Sequence, residues 1–168
     1  MKTFLKTFAL ALTGAALLAS PAQADTSKKR IALSNNYAGN SWRQAMLGSY
    51  SRVGKQAITN KIVAAADVFT TADRAVPTQA AQIQNLILQG YDAIVLNAAS
   101  PNALNGAVRQ ACNAGIVVVS FDSIVTEPCA YRISVDYQAM GRQQVAEMAK
   151  LHPKGGNLLA IRGQIGRA

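Results

Sequence analysis

Histidine and cysteine are almost absent from this chain, whose 168 residues include one histidine, His152, and two cysteines, Cys112 and Cys129. A lone histidine beside Pro153, at the end of a helical stretch, has no companions from which to build a metal site or to activate a nucleophile, and it reads as a surface residue. Catalytic signatures are missing as well. No G-x-S-x-G, no G-x-x-x-x-G-K-[ST] and no G-x-G-x-x-G after the first strand occurs. The spacing Gly163-Gln164-Ile165-Gly166 is too common to imply a phosphate site. These absences predict a protein that is not an enzyme and uses no cofactor and no metal. Acidic residues are scarce too, 8 against 17 lysines and arginines, for a net charge of +9. The positive charges are scattered, and the one tight cluster, Lys28, Lys29 and Arg30, reads as a solvated tail. A nucleic-acid partner would require a basic face interleaved with aromatics, so none is expected.

Long apolar runs are confined to the N-terminus. Residues 7–19 carry no charge, follow Lys2 and Lys6, and lead to the small residues of Ala22-Gln23-Ala24. The run falls short of the roughly 20 residues needed to span a bilayer. The order of positive end, apolar run and small residues predicts a cleavable signal peptide, residues 1–24, cut before Asp25. Residues 25–168 are then one soluble domain, long enough for a proper core. Export also bears on Cys112 and Cys129. In an oxidising compartment they are expected to bond, closing a loop worth roughly 3 kcal/mol, with two free buried thiols as the alternative.

Beyond the leader, short β-branched runs alternate with helical patterns, the signature of an α/β fold with an open parallel sheet and helices on both faces. Strands are predicted at 31–34, 62–69, 93–96, 116–121 and 158–161, with a short extended piece at 133–135. Helices are predicted at 41–57, from Pro77 to Gly90, from Ser100-Pro101 to Gly115, and from the cap Asp136 to about Leu151. The first has an expected inward stripe of Trp42, Ala45, Met46, Ser49, Tyr50 and Val53. The second buries Ala80, Ile83, Leu86 and Ile87, and the third Leu104, Ala107, Val108 and Ala111. The last turns Met140, Val145, Met148 and Ala149 inward.

In such a sheet, ligands lie outside the carboxyl ends of the strands. The residues just past those ends are Asn35, Asn36, Asn40, Ser41 and Trp42, then Asn97, then Asp122 and Ser123, then Arg162 with the following glycines. Amides, one carboxylate, one cation and one aromatic suit a polyol, which needs partners for many hydroxyls and a flat apolar face for its C–H groups. Each has a plainer role open to it. Asn97 and Asp122 could cap loops, and Trp42 could be core.

At these residues the chain resembles the periplasmic sugar-binding proteins of bacterial ABC transporters, the ribose-binding type in particular, over residues 30–168 against the family's N-terminal lobe. The most specific stretch is QIQNLILQGYDAIVLN, residues 82–97, followed by GIVVVSFD, residues 115–122. ISVDYQAMGRQ, residues 133–143, and the opening IALSNNYAGNSW add to it. The resemblance implies that Asp122 contacts sugar hydroxyls, that Trp42 stacks on the ring and that Asp136 stands at the cleft. It implies a monosaccharide ligand, a membrane permease as partner, a periplasmic location and a monomer. Two departures stand out. Ser123 occupies the place where many relatives have arginine, and Ser41-Trp42 that of paired aromatics. The family binds ligand between two lobes, and the second is expected to be absent here, with the last cleft arginine replaced by Arg167 or lying past Ala168. The ligand-sensing domain of a regulatory or chemosensory system is the alternative function.

Overall fold

The computed structural model describes residues 24–159. The expected leader therefore lies outside the described residues except for Ala24, as do Arg162 and residues 160–168. Five strands, β1 (Arg30–Asn35), β2 (Ala65–Thr70), β3 (Ala93–Asn97), β4 (Val117–Phe121) and β5 (Tyr131–Ile133), form one sheet in the order β2-β1-β3-β4-β5. Every pairing is parallel, with Asn35 opposite Asn97 and Phe121 opposite Ile133. At the amino ends, the Asp92 carboxylate accepts from the Arg30 backbone N–H and from the Lys29 ammonium, each at 2.8 Å. These bonds, Lys29 first, hold the Asp92 carboxyl below its usual range. Lys29 and Arg30 are thus a clamp on β1 and β3 and not the solvated tail expected; Arg30 also lies 4.2 Å over the Tyr91 ring.

Among the described residues four helices, α1 (Ser41–Thr59), α2 (Val76–Leu88), α3 (Asn105–Asn113) and α4 (Tyr137–Leu151), connect or follow the strands. Right-handed crossovers send the chain outward through α1 and back through α2, which puts α1 on one face of the sheet and α2 with α3 on the other. The main core lies on the second face, where Ile83 and Leu86 of α2 and Ala107, Val108 and Ala111 of α3 meet Ala32, Ile94, Leu96 and Val118. Those helix faces match the sequence pattern. Gly90 and Gly115 follow α2 and α3 with φ of +70° and +80°, a conformation that costs glycine nothing.

On the opposite face the expected stripe of α1 is displaced by one position. Arg43 and Gly54 are the buried residues, with Met46 and Tyr50 half-buried, while Trp42 and Val53 are 51% and 57% exposed. Gly54 sets this rotation, because a β carbon there would stand 2.7 Å from Cβ of Ala66, so the helix rests on β2 at a residue without a side chain, whereas the other glycine of α1, Gly48, faces open space. A single helix cannot cover the whole face, and Val117 on β4 remains 48% exposed.

Beyond β4 a loop is pinned at several points. Cys112 and Cys129 are disulfide-bonded with their Cα atoms 6.4 Å apart. Buried Glu127 pairs with Arg109 at 2.8 Å, and the Val125 N–H donates to Ser120 Oγ at 3.1 Å. The extended piece expected at 133–135 pairs earlier, as β5. Helix α4 starts where expected, with Asp136 Oδ1 accepting from the Ala139 N–H at 2.8 Å. Its inward face is a correction: none of its residues is buried, and Met140, Val145 and Met148 are exposed. The strand expected at 158–161 is not formed at Leu158 and Leu159, and its remainder lies outside the described residues. With no strand after α4 among the described residues, the helix has no layer to close against.

Two outcomes test this packing. Replacing Cys112 and Cys129 together by serine should lower the unfolding free energy in urea by about 3 kcal/mol, since the unfolded chain regains the entropy of the opened loop. The buried Tyr50 hydroxyl has no hydrogen-bond partner among the described residues, and burial, with the Asp67 carboxylate second, pushes its phenol up to about 12. The folded chain therefore holds this proton more tightly than the unfolded one, and the stability it confers is lost as pH climbs from 10.0 towards 12. Tyr50→Phe should raise stability at neutral pH by about 1 kcal/mol and flatten the alkaline fall of the urea midpoint.

Candidate ligand-binding site

Parallel strands end together, and the loops leaving the carboxyl ends of all five surround one cavity of about 660 Å³. Asn36 follows β1, Asp73 and Arg74 follow β2, Ala98 and Ala99 follow β3, Asp122 and Ser123 follow β4, and Ser134 and Val135 follow β5. Its place is the crevice beside β1 and β3, where the strand order reverses direction. The volume is within the roughly 300–1,000 Å³ usual for small-molecule sites.

Beneath the cavity the strand tips are tied by a chain of side-chain bonds. Asn36 Nδ2 donates to the Ala98 carbonyl at 2.6 Å and to Asn97 Oδ1 at 3.3 Å. Asn97 Nδ2 donates to Asp122 Oδ2 at 3.1 Å, and the Arg43 guanidinium stands 3.5 Å from the same oxygen. Arg43 also donates to Asn35 Oδ1 at 2.8 Å, and Asn35 Nδ2 to the Tyr37 carbonyl at 2.6 Å. Asn35, Asn36, Asn97 and Arg43 are all buried, so these amides and the cation satisfy one another in place of water. Asp122 is the exception. Its side chain is 32% exposed, its φ of 56° is in the left-handed region that aspartate tolerates better than most residues, and Oδ1 accepts no hydrogen bond among the described residues.

A second layer supports the first. Gln79 is fully buried on α2; its Nε2 donates to the Asn97 carbonyl at 3.0 Å and to Ser34 Oγ at 3.1 Å, and its Oε1 accepts from the Ala99 N–H at 2.8 Å. The Ala98 N–H donates to the Ser123 carbonyl at 2.9 Å, which joins the loops after β3 and β4.

Of the residues singled out from the sequence, Asn36, Asp122 and Ser123 line the cavity, and Asn97 lies directly under it. Asn40 is the N-cap of α1, its Oδ1 accepting from the Arg43 N–H at 2.8 Å, and Ser41 is the exposed first residue of that helix. Trp42 is not core. Its half-exposed ring lies outside the cavity lining, 5.3 Å from the Arg43 guanidinium. Asp136 caps α4 and does not itself line the cavity, although Ser134, Val135 and Tyr137 around it do. Sequence reasoning missed Arg43, Gln79, Asp73 and Arg74. Gln79 precedes Ile83 and Leu86 at helical spacing, and Arg43 precedes Gly54 by three turns, so both sit on buried faces as polar residues, a signal that could have found them.

The same arrangement of strands and loops recurs in known proteins. The chain is 31% identical over 100 residues to the xylitol-binding protein of Mycolicibacterium smegmatis, covering 59% of this chain and 29% of that protein. It is 29% identical over 83 residues to the D-xylose-binding periplasmic protein of Escherichia coli, covering 49% and 25% of the two. A crystal structure of an ABC transporter solute-binding protein from Thermobispora bispora superposes with a TM-score of 0.68 at 36% identity, covering 77% of this chain and 41% of that one. This chain thus spans less than half the length of each of these relatives. The periplasmic binding protein domain matches residues 31–168, from the first strand through every loop that borders the cavity, and the chain belongs to that family.

Proposed function

We propose that this chain captures a monosaccharide or the corresponding polyol in the cavity at the strand ends and, as a periplasmic solute-binding protein, hands it to the membrane permease of an ABC transporter. Residues 1–24 direct it to the periplasm, and residues 25–168 serve, as a monomer, as the N-terminal lobe of a two-lobed cleft that closes on the ligand by a hinge motion. The observation that carries this is the state of Asp122. Asp122 lines the cavity; one of its carboxylate oxygens is held by Asn97 and Arg43, and the other has no partner among the described residues. A carboxylate so fixed accepts hydroxyl hydrogens strongly, and the charge it carries is already balanced by Arg43, which favours a neutral polyhydroxyl ligand over an anion. Similarity to proteins named for binding xylitol and D-xylose points the same way. Catalysis has no part in this function.

Calorimetric titration of the chain with xylitol, D-xylose, D-ribose and myo-inositol tests it. One lobe supplies half the partners and leaves water in the site, so saturable heat in the millimolar range is expected, about −4 kcal/mol. Asp122→Ala should weaken that binding at least tenfold. Absence of saturable heat from every ligand in the panel, or an Asp122→Ala variant that binds unchanged, would sink the proposal.

A further inference from the structure

The buried guanidinium of Arg43 joins two strand tips at the pocket and also stands beside the Trp42 ring outside it. Its Nη1 donates to Asn35 Oδ1 at the tip of β1, its Nη2 is 3.5 Å from Asp122 Oδ2 just past β4, and its Cζ is 5.3 Å from the Trp42 ring centre. It is itself anchored from below, since its backbone N–H is the donor to the Asn40 cap of α1. Only 5% of the residue is exposed, although it borders the cavity. A planar fork held at two ends in this way has little freedom to follow a ligand; lysine, a flexible point charge, could not hold both acceptors in the same plane.

We propose that Arg43 is a positioning residue, which locks Asp122 with Oδ2 turned inward and fixes the Trp42 ring beside it, so that Oδ1 is presented to ligand hydroxyls. This rests on the reading of the cavity as a polyol site. The left-handed backbone of Asp122 is consistent with such a lock, because φ of 56° carries a cost for a non-glycine residue, a modest one for aspartate, that surrounding contacts offset. Arg43 acts through Asp122, and its effect on binding disappears once Asp122 no longer carries the carboxylate.

The test is a pair of double-mutant cycles on the full chain with Arg43→Met, Asp122→Asn and the double variant, Arg43→Lys standing in if the methionine variant does not fold. D-xylose is the probe for the first cycle, followed by calorimetry and by the emission of Trp42, the sole tryptophan. Arg43→Met should weaken D-xylose binding at least tenfold, and the double variant should bind within twofold of Asp122→Asn alone. Losses that multiply would make Arg43 an independent ligand contact and overturn the proposal. The second cycle needs no ligand and compares unfolding constants in urea. The double variant should depart at least threefold from the product of the single effects; multiplication without coupling overturns the lock. Coupled unfolding in a protein that binds no D-xylose supports the lock and instead counts against the polyol reading.

Discussion

Parallel pairing of β1 with β3, two strands separated in sequence by a helix, a strand and another helix, brings Asn35 opposite Asn97 and thereby places two loops side by side at the carboxyl end of the sheet. Everything at the cavity inherits its position from that register. A slip of one residue would turn Ala32, Ile94 and Leu96 out of the core and swing Asn97 away from Asn36 and Asp122. The register is secured at both ends. The Asp92 carboxylate clamps the amino ends through Lys29 and Arg30, and Gln79 bridges the carboxyl ends through Ser34 and Asn97.

The polar groups under the cavity are costly unless paired, and they are paired almost entirely among themselves. Asn35, Asn36, Asn97, Gln79 and Arg43 together give up water and recover it as hydrogen bonds between strands that share no covalent neighbour. Such a network stiffens the floor and leaves exposure to the one group at its edge, Asp122. The loop that carries Asp122 and Ser123 is held as well, by the Cys112–Cys129 bond and by the Arg109–Glu127 pair. These ties hold the acceptors at the site in place, and a preformed arrangement reduces what a ligand must order on binding.

The other end of the described chain shows what happens when packing partners are not at hand. Helix α4 is capped by Asp136 and well formed, yet none of its residues is buried and Met140, Val145 and Met148 are exposed, because it packs on no strand or helix among the described residues. The α1 face of the sheet is similarly under-covered at Val117. The segment shared with the Thermobispora bispora solute-binding protein is 41% of that protein, so the fold described here is one part of the relative's structure.

Local chemistry alone determined the order of elements here: β-branched runs made strands, Pro77 opened α2, Gly90 and Gly115 closed α2 and α3, and Asp136 capped α4. It also put Asn36, Asn97, Asp122 and Ser123 at strand ends, because strand boundaries and a general rule about parallel sheets suffice for that. Rotation of α1 did not follow from its apolar pattern. Trp42 and Val53 look like core residues by spacing, but the missing side chain of Gly54 against Ala66 outweighs their hydrophobicity and turns Arg43 inward instead. The bond between Cys112 and Cys129 was allowed by their even number, and decided by the 6.4 Å between their Cα atoms. What a sequence holds is the preference of each segment; which face a helix buries and which polar groups meet depend on contacts between segments far apart in the chain, and those exist only once the sheet has formed.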